Sequence, residues 1–150
     1  MYRERMETLK EWKVSKNRKP LIIRGARQVG KTWLMKEFGK LYYEKCAYIN
    51  FDNNSRMDIL FNEEFDLNRI IQGLKIESGI NIEPENTLII FDEIQETPNA
   101  LKALKYFYEN APQYAIIAAG SLLGVALHSG TSFPVGKVDF MQLYPLNFSE

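Results

Sequence analysis

The sequence predicts an α/β fold built on a mainly parallel five-stranded sheet. Three observations carry that prediction. Five short apolar or alternating runs, at 21–23, 47–51, 87–92, 114–119 and 138–144, are separated mostly by segments of helical periodicity. Strands alternating with helices of 10–15 residues make βαβ units. The first run turns into a helix through Gly25-Ala-Arg-Gln-Val-Gly30-Lys31-Thr32, a full match to G-x-x-x-x-G-K-[ST]. The third run closes on adjacent carboxylates, Asp92 and Glu93.

The elements follow in order. Tyr2, Met6, Leu9 and Trp12 recur at spacings of four, three and three, with charges between them, as in an amphipathic surface helix. Leu21, Ile22 and Ile23 suit a strand buried on both faces. Leu34, Met35, Phe38, Leu41 and Tyr42 give 32–43 a helical stripe. Ala47 to Phe51 is the second strand, ending in the turn residues Asp52 to Ser55. Residues 56–79 are mostly helical by pattern, with Gly79 as the C-cap. A loop containing Pro84 leads to the strand Thr87 to Asp92. Pro98 opens the next helix, whose apolar face is Ala100, Leu101, Leu104, Phe107 and Tyr108, and Pro112 closes it. Tyr114 to Ala119 is the fourth strand. Residues 121–137 read as irregular. In the fifth strand Val138, Phe140 and Gln142 alternate with Asp139, Met141 and Leu143.

The glycine loop implies a chemistry. Gly25 and Gly30 allow a tight bend and close approach to a bound group. The N–H groups of Ala26, Arg27, Gln28 and Val29 then point inward as an anion-binding nest, at the positive end of the following helix. Lys31 would reach the β- and γ-phosphates of a nucleotide, and the Thr32 hydroxyl would bind Mg²⁺. Trp33 follows in the first turn, its ring either near the nucleotide or packed under the sheet. Asp92 stands at the C-terminal edge of a strand, where open α/β sheets bind ligands, and would help hold Mg²⁺. Glu93 would polarise an attacking water. Ser121 follows the fourth strand in the same way; its hydroxyl would touch the γ-phosphate or the water, or belong to a simple Gly-Ser turn.

Composition narrows the rest. The 150 residues are 45% apolar and 25% charged, with net charge zero, and make one domain of ordinary size. Residues 1–40 hold 12 Lys/Arg against 4 Asp/Glu, and residues 41–150 hold 7 against 15, so the halves carry +8 and −8. That split fits a phosphate-binding first third with a solvated helix, or a basic face for nucleic acid or a neighbouring subunit. A single cysteine, Cys46, excludes an internal disulfide and suits a reducing, cytoplasmic setting. A single histidine, His128, excludes Cys/His zinc clusters. The longest mostly apolar run, 115–127, is too short to span a bilayer, so no membrane role is expected.

The motifs GARQVGKT, IIFDEIQ, AAGSLLG and FPVGKVDFMQLYPLNFSE resemble those of AAA-type P-loop ATPases of bacteria and archaea. They are similar in particular to a prokaryotic group whose ATPase core precedes a C-terminal domain of unknown function. The resemblance covers nearly all 150 residues, taken as one core domain. It implies a three-layer P-loop NTPase core with ATP and Mg²⁺ as cofactors. It makes Gly25 to Thr32 the Walker A motif, Asp92 and Glu93 the Walker B pair, and Ser121 the first sensor. It also implies that the Walker A strand is central, beside the sensor and Walker B strands. Some members hold the Walker B glutamate with a polar residue near the end of the second strand; Asn50 is the candidate, or else it meets turn backbone. The group's lid and C-terminal domain would lie beyond this core. A DNA or protein partner would bind through that part, and the core would be a candidate for self-association.

Two readings compete with hydrolysis coupled to a C-terminal domain. One is a P-loop kinase, disfavoured by Glu93 directly after Asp92. The other is a nucleotide-gated switch with negligible hydrolysis. It gains weight because all seven arginines lie at or before Arg69, leaving Lys137 or Arg27 to serve as an arginine finger.

Overall fold

The computed structural model describes residues 2–25, 30–120 and 136–143. Its elements are α1 (Tyr2–Lys13), β1 (Leu21–Arg24), α2 (Lys31–Tyr42), β2 (Lys45–Asn50), α3 (Ser55–Asn62), α4 (Leu67–Ser78), β3 (Thr87–Asp92), a 3₁₀ turn (Ile94–Glu96), α5 (Pro98–Asn110), β4 (Ala115–Gly120) and β5 (Asp139–Gln142). All four strand pairings are parallel, in the order β2-β3-β4-β1-β5. The expected five-stranded α/β sheet is therefore present.

Strand alternation splits the apolar residues between two cores, because successive side chains leave opposite faces. Leu21, Ile23, Leu88, Ile90, Ile117 and Ala119 pack with Met6, Leu9 and Trp12 of α1 and Leu34, Met35 and Phe38 of α2. Ile22, Ile49, Ile89, Phe91, Ile116 and Ala118 face the other way, against α3, α4 and α5. The result is three layers. The Trp12 indole N–H donates to the Lys19 carbonyl at 2.7 Å, and its ring lies 6.4 Å from Phe38, which ties α1 to α2.

Three expectations need correction. β1 is not central: β4 occupies the middle, and β1 pairs with β4 and β5 rather than with β3. The α5 crossover returns the chain between β3 and β1, and strand neighbours are a property of that route, not of any one strand.

The helical run 56–79 is broken at residues 63–66. The Asp66 carboxylate caps α4 by accepting from the N–H groups of Asn68 and Arg69. Arg69 reaches back to the carbonyls of Leu60 and Glu64, closing the end of α3.

In β5 the faces alternate as the sequence reads, and each sends an apolar residue inward. Val138 enters the α3–α5 core and Leu143 the α1–α2 core, while Phe140 stays exposed. As an edge strand, β5 has one neighbour, and the Arg24 guanidinium covers Phe140, 4.5 Å from its ring centre.

Trp33 does not pack under the sheet; it is 56% exposed on the outer side of α2.

One contact sets the separation between α2 and the sheet. Gly39 lies directly over Cys46 of β2, and a Cβ at Gly39 would come within 1.9 Å of the Cys46 sulfur. Burial raises the pKa of that thiol, which disfavours the reactive thiolate.

Candidate functional site

The parallel sheet brings the C-terminal ends of β1, β3 and β4 to one edge. In register, Arg24 stands opposite Gly120, and Asp92 opposite Asn50. The start of α2 stands at that edge, with Thr32 in hydrogen-bond reach of Asp92. Gly30 caps α2 at φ 84°, the left-handed region. A Cβ there would meet nothing within 4 Å, so dihedral freedom rather than space requires the glycine. Lys31 is 7% exposed, and its ammonium donates to the Gly25 carbonyl at 2.8 Å, folding back across the loop that it closes. Ala26, Arg27, Gln28, Val29 and Ser121 lie outside the described residues.

Asp92 is the hub. It is 4% exposed. Its Oδ2 accepts from the Thr32 hydroxyl at 2.6 Å and from the Tyr48 hydroxyl at 2.6 Å, and its Oδ1 accepts from the Glu93 N–H at 3.0 Å. The two residues assigned to one cation from sequence, 60 positions apart, thus share a hydrogen bond. Glu93 sits at φ 55°, ψ 42°, a left-handed conformation for a non-glycine residue. Such strain costs on the order of 1–3 kcal/mol and gathers at functional sites. It turns the chain out of β3 and into the 3₁₀ turn directly after the buried carboxylate.

Tyr48 is the site residue that sequence reading missed. It lies on β2, its side chain on the α2 side of the sheet. Burial raises its pKa above the usual phenol value, and the hydrogen bond to Asp92 and the negative charges of Asp92 and Glu93 add to that. The phenol therefore stays protonated and donates. The Lys36 ammonium, one turn after Thr32 on α2, lies 4.0 Å from the centre of its ring. A tyrosine at an alternating strand position was a faint signal; knowing that β2 pairs with β3 would have made it strong.

Asn50 takes the second of its two expected places, at turn backbone, and Lys137 leaves its own. The Asn50 amide serves the turn after β2: its Oδ1 accepts from the Asp52 N–H at 2.9 Å, and Asn54 donates to its carbonyl. Lys137 pairs with Glu109 at 3.4 Å, beside the N-terminal end of β5. Since β5 runs parallel to β1 and Asp139 stands opposite Leu21, Lys137 is at the wrong edge of the sheet for a phosphate at the loop. Arg24, passed over in the sequence, stands at the correct edge, with a buried Nε that meets no acceptor among the described residues.

A G-x-x-x-x-G-K-[ST] sequence leading into a glycine-capped helix, with the Thr32 hydroxyl on a buried carboxylate at the end of a parallel strand, is the arrangement of a P-loop domain. Residues 17–150 match the family model described as AAA domain, and the chain belongs to that family, an AAA-type P-loop ATPase core. The fold recurs in solved structures. The Walker-type ATPase of Pyrococcus abyssi is 18% identical with a TM-score of 0.62, over 99% of this chain and 55% of that one. A Drosophila ORC structure bound to AT-rich DNA and Cdc6 is 14% identical with a TM-score of 0.57, over 99% and 58%. The Aeropyrum pernix ORC1 protein in complex with DNA is 15% identical with a TM-score of 0.57, over 98% and 44%. The chain thus spans about half the length of these relatives. None of the curated proteins matches. Among the described residues no helix is long and apolar enough to cross a membrane.

Proposed function

We propose that the chain binds ATP with Mg²⁺ at the loop edge and hydrolyses it, coupling nucleotide state to a C-terminal part beyond this core. The observation that carries the reading is the 2.6 Å hydrogen bond between Thr32 and the buried Asp92 at the N-terminus of α2. The donor set fits a hard cation, which takes oxygen ligands and keeps several waters. No cluster of three or more His, Cys, Asp or Glu is present among the described residues. That suits a cation held by one hydroxyl, one carboxylate and the nucleotide's own phosphate oxygens. Bound Mg²⁺ would neutralise charge on the β- and γ-oxygens. Lys31 would meet those same oxygens as a point charge. The backbone of residues 25–30 would cradle the phosphates, and Trp33 would border them. Glu93 would accept a proton from the attacking water. Ser121 keeps its sensor assignment from sequence alone.

The switch reading, binding with negligible hydrolysis by the core itself, is favoured by Lys137. Its ion pair with Glu109 removes the leading candidate for an arginine finger within the core, and such a finger is worth roughly 10³–10⁵ in rate. The missing cation would come from another subunit or from the C-terminal part. The basic N-terminal third and the DNA in two of the solved relatives support DNA as a partner. A prokaryotic, cytoplasmic setting rests on the resemblance and the cysteine count.

Calorimetry tests the core of the reading. Wild-type chain should bind Mg·ATP, and Lys31→Ala should weaken binding at least tenfold, since a charge-assisted contact is worth about 1.5–3 kcal/mol. Equal affinity in the two proteins would refute the phosphate-loop assignment. Phosphate release with and without DNA separates the ATPase from the switch.

A further inference from the structure

The Asp92 carboxylate offers about four lone-pair sites. Two, both on Oδ2, are filled by the hydroxyls of Thr32 and Tyr48 at 2.6 Å each, and one on Oδ1 by the Glu93 N–H. The remaining capacity is on Oδ1. With strands β2 and β3 in parallel register, Tyr48 stands opposite Ile90, two residues before Asp92 on the same face. Its phenol therefore spans diagonally from one strand to the carboxylate of the next. Lys36 holds the ring from the α2 side, 4.0 Å from its centre. Thr32 and Lys36 sit one turn apart on α2 and so face the same strands.

We propose that Tyr48 is a positioning residue of the cation site. Its hydroxyl pins Oδ2 of Asp92, so that the carboxylate keeps one orientation and directs its free acceptor on Oδ1 to the hydration shell of a divalent cation. Lys36 draws electron density from the ring and strengthens the phenol as a donor. This inference rests on the Mg·ATP reading of the site. Thr32 and the Glu93 N–H hold one oxygen each; the Tyr48 hydroxyl adds a third donor, from the neighbouring strand, and fixes the tilt of the carboxylate plane. Outer partners that orient a metal-binding carboxylate typically matter 10–100-fold in metal affinity.

The test uses the full-length chain, with ATP binding followed by calorimetry in EDTA and across a Mg²⁺ titration. Tyr48→Phe should raise the Mg²⁺ midpoint about tenfold and leave the affinity in EDTA within twofold. Lys36→Met, at an exposed position, should move the midpoint in the same direction by roughly two- to threefold. It keeps the test open if Tyr48→Phe fails to fold. An unchanged midpoint in the variants that fold, or an equal loss with and without Mg²⁺, overturns the proposal while leaving the nucleotide site standing. Wild-type chain that binds no ATP under either condition overturns the nucleotide reading and this inference with it.

Discussion

Gly39→Ala should destabilise the domain and disturb the site through one atom. The substitution removes the helix penalty of glycine, worth about 1 kcal/mol in favour of the variant. Against this, the new Cβ would lie 1.9 Å from the Cys46 sulfur and 3.3 Å from a Leu88 methyl. The leucine methyl can give by a few tenths of an ångström. The sulfur must swing to another rotamer, or α2 must lift off β2. Overpacking of this kind costs typically 1–3 kcal/mol. The net expectation is a loss of about 1 kcal/mol and a melting temperature lower by roughly 2–4 °C.

The same contact predicts its own rescue. In a Cys46→Ala background the sulfur is gone, leaving a Leu88 methyl at 3.3 Å, which can give, and the residue 46 Cβ at 3.6 Å, an ordinary contact. Gly39→Ala should then stabilise by up to about 1 kcal/mol, the helix propensity term alone. Thermal unfolding by circular dichroism of the four proteins in the cycle gives the coupling. Because Thr32 and Gly39 share α2, lifting that helix would also stretch the Thr32–Asp92 bond. Mg²⁺-dependent ATP binding should therefore weaken in Gly39→Ala and recover in the double variant. Equal costs of Gly39→Ala in both backgrounds would refute the argument.

Asp92 and Glu93 should separate by assay. Asp92→Asn should reduce the Mg²⁺ dependence of ATP binding several-fold, because a carboxylate at the cation loses its charge. Glu93→Gln should leave binding intact and lower turnover, as for a group needed only in the transition state; binding lost equally in both, with turnover untouched, would reverse the roles. Tyr43 gives a pH test away from the site. Burial, opposed by the Arg18 charge, pushes its phenol up to about 12 from 10.0. The fold thus favours the protonated form, and that contribution is intact below pH 10 and lost as pH rises from 10 to 12. Tyr43→Phe should retain more of its stability across that window in urea titrations at successive pH values. At pH 7 it should stay within about 1 kcal/mol of wild type, since the buried hydroxyl has no hydrogen-bond partner among the described residues.

The sequence by itself determined the class of fold, the glycine that caps α2 and the carboxylate that ends β3. Each is a local pattern. An apolar run between helical stripes needs no knowledge of its neighbours to be read as a buried strand, and the dihedrals of Gly30 and Gly79 are demanded within a single turn. The α3–α4 boundary was half legible: the stripe shifts register near Phe65, but the break depends on Arg69 reaching back to Leu60 and Glu64.

Only the tertiary structure decided which strands are neighbours, and everything that depends on it. β4 became central, Lys137 fell at the far edge with Glu109, and Tyr48 met Asp92 because β2 lies beside β3. Asn50 and Tyr48 are two residues apart on one strand and equally polar-tipped. They share a face, so position along the strand chose between them: the turn draws the Asn50 amide to the Asp52 N–H, and the Tyr48 hydroxyl reaches the carboxylate. Hydrogen bonds across strands join residues by position in space. A single chain of letters holds the donors and acceptors but not the distances between them.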